Sequence, residues 1–260
     1  MTYRSWALIT GAGSGIGEAL ARSLAAEGVG VALVGRRENR LRAVAGQIGD
    51  DMTCVLPGDV ADARDRERLC ARLTEALAQC GGRLRYLVHN AGTGAPAPDF
   101  AHTDPRALEH AFAVNVTAPL ALTQALLNPL RQGAPARILM VGAGIADHPQ
   151  PGTGVYGISK AALARLMRQM VTDLNHSSEV DAPAVALLQP GLVDTEGLRA
   201  HLQAADACGL PHAAWLGGRL AAGDARTPES VAASMTYALL RLPHADLHGC
   251  VFRPGDMGTD

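Results

Sequence analysis

Aromatic residues are scarce: Phe, Trp and Tyr together make up 3 % of the 260 residues. Any large core therefore has to be built from Ala, Leu and Val. Charge of either sign is also nearly balanced, with a formal net charge of -2 and no basic run. That removes the electrostatic footprint expected of a nucleic-acid binder. The five cysteines (Cys54, Cys70, Cys80, Cys208 and Cys250) are odd in number and form no C-x-x-C pair. A disulfide framework is not expected, and the chain reads as a protein of a reducing cytoplasm. The nine histidines include no H-E-x-x-H and no clustered ligand spacing, so no metal site is expected. There is no G-x-S-x-G elbow to supply a hydrolase nucleophile. No apolar run approaches the roughly 18 residues that suggest a membrane span. The N-terminus enters a strand at Trp6 without a basic region and apolar segment before it, so no signal peptide is expected.

Hydrophobic residues make up 48 % of the chain, enough for a large aliphatic core. Short β-rich runs recur at Trp6–Thr10, Val29–Gly35, Thr53–Pro57, Tyr86–Asn90, Arg137–Gly142, Ala184–Gln189 and Gly249–Arg253. Most are continuous apolar runs, as expected of parallel strands covered on both faces. Amphipathic helical patterns lie between them. Leu41, Val44 and Ile48 mark one stripe; Leu163, Leu166, Met167, Met170, Val171 and Leu174 mark another. This alternation predicts an α/β fold with a doubly wound sheet of about seven parallel strands. The length suits a single domain over 1–260. Residues 192–225 show no clear strand and mix Gly, Pro, Asp and short apolar patches; a mobile lid over the substrate is expected there.

Two stretches carry chemistry. Gly11, Gly13, Ser14, Gly15, Ile16 and Gly17 lie between the first strand and a helix. Glycine there lets the backbone turn tightly and approach a pyrophosphate, while the helix start presents free N–H groups. Tyr156 and Lys160 are four apart and share a helix face. A neighbouring cation is expected to lower the phenol pKa toward neutrality and make Tyr156 a proton donor and acceptor. At the end of the second strand, where an NAD site carries Asp or Glu, stand Gly35, Arg36 and Arg37. A guanidinium suits a 2′-phosphate, so NADP(H) is favoured over NAD(H). At least one of the two arginines is expected to begin the solvated face of the next helix instead. Asn115 precedes Pro119 by four residues, so its carbonyl loses its helical N–H partner and can hold a water.

In order along the chain, Thr10-Gly-x-x-x-Gly15-x-Gly17, Asp59-Val60, Asn90-Ala91-Gly92, Asn115, Tyr156-x-x-x-Lys160 and Pro190-Gly191-x-Val193-x-Thr195 resemble the short-chain dehydrogenase/reductase family, in its short single-domain branch. The resemblance covers nearly the whole chain and implies a Rossmann domain. It also implies hydride exchange between a nicotinamide and a small carbonyl or alcohol; Leu192, Leu198, Leu202, Leu210, Trp215 and Leu216 suit either a partly apolar substrate or the packing of a helical lid. On that resemblance, Asp59 and Val60 would contact the adenine, and Asn90, Ala91 and Gly92 would line the cofactor and brace the sheet. Tyr156 would pass the proton, and Lys160 would bind the nicotinamide ribose. Asn115 would hold a relay water. Thr195 would contact the nicotinamide carboxamide or the pyrophosphate, with Pro190, Gly191 and Val193 also counted as cofactor-binding. The family resemblance also implies a homodimer or homotetramer, built on the helices that contain Asn115 and Tyr156.

One position departs from the family pattern. Thirteen residues before Tyr156, where a serine normally polarises the substrate carbonyl, stands Ala143. Losing one such donor commonly costs about 10²–10³ in turnover. Four explanations stand at this point. Water, the substrate, Thr153 or His148 supplies the donor in a working reductase. An alanine was introduced to trap substrate. The substrate is an imine or activated ketone that needs less polarisation. Or the chain is a weakened paralogue that binds cofactor and a partner protein. His148, with Asp147 beside it, also reads simply as a solvated loop residue. Ser159 is three residues past Tyr156 and is expected to point elsewhere.

Overall fold

The computed structural model describes residues 4–177 and 181–256. Seven strands form one sheet: β1 (Ser5–Thr10), β2 (Gly30–Gly35), β3 (Thr53–Pro57), β4 (Arg83–His89), β5 (Arg137–Val141), β6 (Ala184–Leu188) and β7 (Val251–Phe252). Their order is β3-β2-β1-β4-β5-β6-β7, and every neighbouring pair is parallel. The chain winds outward from β1 to β3, then returns past β1 to start β4. The strand order reverses there, and a crevice opens at the carboxyl ends of β1 and β4.

Alternating side chains of each strand feed opposite layers, which explains the continuous apolar runs. Ala7, Ile9, Val31 and Leu33 pack with α1 (Gly15–Ala26), α2 (Glu38–Ile48) and α9 (Pro228–Leu240). Trp6, Leu8, Ala32 and Val34 pack with α3 (Ala63–Cys80), α5 (Ala118–Gln132) and α6 (Gly154–Ser177). Local sequence sets the helix ends. Asp62 caps α3 by accepting from the Asp65 N–H, and Gly81 closes it in the left-handed conformation.

All seven expected strands are present, with adjusted ends. β4 begins at Arg83 rather than Tyr86, because Ser5 and Trp6 pair with Arg83 and Leu84 before the register shifts. β7 shrinks to two residues paired on one side only, at the sheet edge. The segment 192–225 holds two helices, α7 (Glu196–Ala207) and α8 (Pro211–Ala221). One further expectation needs correcting. The continuous helical stretch Pro105–Gln132, from α4 (Pro105–Phe112) through α5, is long and apolar enough by composition to cross a membrane. Its Leu122, Leu126 and Leu130 are packed in the core. A helix buried on one side reads much like a span.

Candidate active site

The β1–α1 turn builds the floor of the cleft. Gly11 and Gly15 have φ of 69° and 56°, which a side chain would strain. A Cβ at Gly11 would also come within 2.9 Å of Asn90 Nδ2. The glycine loop is tied to β4 by Thr10, whose hydroxyl oxygen accepts from the N–H groups of Asn90 and Ala91 at 3.0 Å each. Asn90 Nδ2 donates to the carbonyls of Thr10 and Gly11 at 2.9 and 3.2 Å. Asn90 thus braces the join between the two central strands, which fixes the crevice.

The cleft has a volume of about 470 Å³. Gly11, Gly13, Ser14, Gly15, Ile16, Arg36, Arg37, Asp59, Val60, Asn90, Ala91, Gly92 and Thr195 all line it. Gly17 does not. It is buried under the loop, where a Cβ would lie 2.3 Å from Gly11 O, so it serves the close packing of α1 on β1. Pro190, Gly191 and Val193 also lie off the lining, as do Tyr156 and Lys160. Gly191 turns the chain after β6 with φ of 75°, and Val193 forms a parallel bridge with Arg226. Thr195 caps α7, its hydroxyl oxygen accepting from the Leu198 N–H at 3.1 Å, which leaves the hydroxyl hydrogen free to donate. Asp59 accepts from the Ala61 N–H at 2.9 Å.

The two arginines have separated roles. Arg36 reaches the cleft exposed and has no hydrogen-bond or ion-pair partner among the described residues. Arg37 donates to Glu196 Oε1 and Oε2 at 2.9 and 3.3 Å and to Ser14 Oγ at 3.0 Å.

Tyr156, Lys160 and Asn115 converge behind Gly92 and Gly94. A Cβ at Gly94 would come 2.6 Å from Tyr156 Cβ, and one at Gly92 would come 3.2 Å from Lys160 Nζ and 3.5 Å from Asn115 Oδ1. Lys160 is 2 % exposed; its Nζ donates to Val141 O at 2.7 Å and lies 5.6 Å from the Tyr156 ring centre. Burial pushes the lysine pKa down to about 8. Burial pushes the Tyr156 phenol up to about 12. This corrects the expected shift toward neutrality. The ammonium is turned onto the Val141 carbonyl, and taking the phenolate out of water raises the phenol.

Asn115 is fully buried within a π-helical turn, Ala113–Thr117, that joins α4 to α5 just before Pro119. Its Oδ1 accepts from the Thr93 N–H at 2.9 Å, and its Nδ2 donates to Thr93 O at 2.7 Å and to Ser159 Oγ at 2.8 Å. Ser159 in turn donates to Tyr156 O at 2.9 Å. The serine is fully buried and links Asn115 to the Tyr156 turn. Its i, i+3 spacing from Tyr156, a common back-bonding distance, was the available signal.

Ala143 lies two residues past the end of β5, in an extended conformation. Thr153 is buried and donates its single hydroxyl hydrogen to Gln150 O at 2.8 Å, so that hydrogen is not available to a substrate in this arrangement. His148 is exposed in the loop before α6. Thr93, His110, Val114 and Glu196 also line the cleft, and none stands in the motifs above. Glu196 meets Arg37 from 159 residues away, a contact no local pattern announces.

A reversed strand order with a glycine loop and a cleft at the switch point defines a Rossmann-type α/β protein. The sequence matches the family model for short chain dehydrogenase over residues 5–206. The chain belongs to the short-chain dehydrogenase family of oxidoreductases. It is 31 % identical to sulfoacetaldehyde reductase of Chromohalobacter salexigens, over 92 % of this chain and 90 % of that protein. It is 30 % identical to 11-beta-hydroxysteroid dehydrogenase-like 3 of Arabidopsis thaliana, over 76 % of this chain, and spans 62 % of that longer protein. The human dehydrogenase/reductase SDR family member 2, mitochondrial, is 32 % identical over 73 % of this chain, with 65 % of its own length spanned. Among solved structures, 3-ketoacyl-(acyl-carrier-protein) reductase from Brucella melitensis complexed with NADH superposes with a TM-score of 0.78 at 25 % identity, covering 96 % of each chain.

Proposed function

We propose that the protein is an NADPH-dependent oxidoreductase that interconverts a carbonyl and a secondary alcohol, with Tyr156 as the proton donor and acceptor. The observation that carries this reading is the grouping of Tyr156, Lys160 and Asn115 around Gly92 and Gly94, with Gly92 itself lining the cleft. The residues fit a dinucleotide, since Gly11 and Gly15 turn the backbone at positive φ between β1 and α1, and this loop lines the cleft. Gly11, Gly13 and Gly15 would hold the pyrophosphate, Asp59 and Val60 the adenine end, and Arg36 a 2′-phosphate. When bound, the nicotinamide supplies the hydride.

A phenol held protonated suits donation to an oxygen that gains negative charge during reduction. Asn115, gripped by Thr93 on both of its amide atoms, fixes the helix that carries this wall. With alanine at 143 and the Thr153 hydrogen committed to Gln150, polarisation of the substrate oxygen falls on the Tyr156 hydroxyl. The α7–α8 pair closes the cleft as a lid, bringing apolar residues such as Leu198 and Trp215 to a partly apolar substrate. Exposed Leu120 and Ile158, on α5 and α6, support the homo-oligomer reading. The relative named a reductase favours the direction of carbonyl reduction.

The test is NADPH consumption against a panel of aldehydes and ketones by the wild type, Tyr156→Phe and Ala143→Ser. The wild type turns over, the phenylalanine variant falls to background, and the serine variant gains about tenfold or more. If wild type and Tyr156→Phe are equally silent while both bind NADPH, the chain is a cofactor-binding subunit and the enzyme reading is lost.

A further inference from the structure

The ion pair between Arg37 and Glu196 lies across the cofactor cleft. Arg37 follows β2, and Glu196 opens α7. Both line the cleft, and both carboxylate oxygens face the guanidinium. Ser14 of the glycine loop accepts from the same arginine, and Arg40 Nη2 lies 4.0 Å from Glu196 Oε1. The glycine loop is packed against the foot of α7 as well, since a Cβ at Gly15 would come 3.1 Å from the Thr195 methyl. Arg37 therefore already holds a carboxylate in the geometry it would offer a phosphate. Its neighbour Arg36 has no such partner among the described residues.

We propose that Glu196 is a specificity-determining residue for the dinucleotide, because its carboxylate competes with a 2′-phosphate for Arg37. This rests on the NADPH reading and deepens it. The end of β2 carries no acid to reject the phosphate, since Gly35 stands there. The rejecting charge comes instead from α7, 159 residues further along the chain. A phosphorylated cofactor has to displace Glu196 from Arg37, whereas an unphosphorylated one leaves the pair intact. Arg36 gives the phosphate its unopposed cation, and Glu196 limits how strongly the second arginine adds to it. The two side chains are 49 % and 52 % exposed. An exposed pair of this kind is worth about a two- to fivefold factor in affinity.

The experiment titrates the purified chain calorimetrically with 2′,5′-ADP and with 5′-AMP, which differ only in the phosphate at issue. The wild type binds 2′,5′-ADP more tightly. In Glu196→Gln the ratio of the two affinities rises about two- to fivefold, and in Arg37→Ala/Glu196→Gln that rise disappears. If the wild type binds the two fragments equally, the NADPH reading fails and this inference falls with it. If the wild type prefers 2′,5′-ADP and Glu196→Gln leaves the ratio unchanged or lowers it, the NADPH reading stands and the role given to Glu196 is overturned. A circular-dichroism melt of each variant checks that the fold is retained.

Discussion

His89 shows how far the core outranks a side chain's own chemistry. It ends β4 at 2 % exposure, with Nε2 hydrogen-bonded to Thr123 Oγ1 at 2.9 Å and Nδ1 buried without a partner among the described residues. Burial pushes its pKa down to about 3. The unfolded chain protonates this histidine near 6.5, so between pH 6.5 and about 3 it binds one more proton than the folded chain. Stability is therefore lost as pH falls through this window, by about 2 kcal/mol between pH 7 and pH 5. In His89→Asn that part of the acid sensitivity disappears, measured as urea unfolding free energy at the two pH values; an unchanged pH slope would refute it. Lys160 does not confuse the measurement. Its depressed pKa of about 8 makes stability rise with pH only above that value. These shifts mark the limit of residue-level reading. The Tyr156–Lys160 spacing was legible along the chain, but the sign of the phenol shift depended on burial, which only the packed fold supplies.

Between elements, small residues decide how closely a helix can approach the sheet. At Gly17 the obstruction would be backbone, with Gly11 O 2.3 Å from an added Cβ, and backbone cannot step aside as a flexible side chain can. Gly46 provides the contrast. It is exposed inside α2, with nothing within 4 Å of an added Cβ. Gly17→Ala is expected to lose about 1–3 kcal/mol and to weaken dinucleotide binding. Gly46→Ala is expected to gain about 0.5–1 kcal/mol through helix propensity alone. Urea unfolding and cofactor titration of both variants check this; equal effects would mean that the α1 approach is not tight. The strands were legible because apolar runs bounded by turn residues read the same in sequence and in a two-faced sheet. The π-helical turn at Ala113–Thr117 was not. Pro119 signals a missing N–H, but nothing in a linear pattern says that the helix widens rather than kinks.

At the scale of the whole molecule, the sheet and its two helical layers form large apolar clusters, whereas α7 and α8 share a small one, Ala205, Leu210 and Ala213. His201 and His212 add one hydrogen bond between those helices at 3.1 Å. Little buried apolar surface holds this pair, so opening it costs less than unfolding the sheet. This is also why residues 192–225 were hard to read. Their helices bury few side chains, Ala205 in α7 and His212 and Ala213 in α8. Arg37 at Glu196 and the Thr195 methyl at Gly15 are the ties to the cofactor loop, and both sit at the first turn of α7. Native-state hydrogen exchange is therefore expected to show amides of Glu196–Ala207 and Pro211–Ala221 exchanging through a sub-global opening, well below the free energy of β1, β4 and β5. Adding NADPH should raise protection in the first turns of α7 more than in α8, because a cofactor in the cleft touches the former. Uniform protection of both helices at the level of the sheet would mean that they open only when the molecule unfolds. A lid could not then admit substrate without global unfolding, and the substrate would have to enter by another face of the cleft.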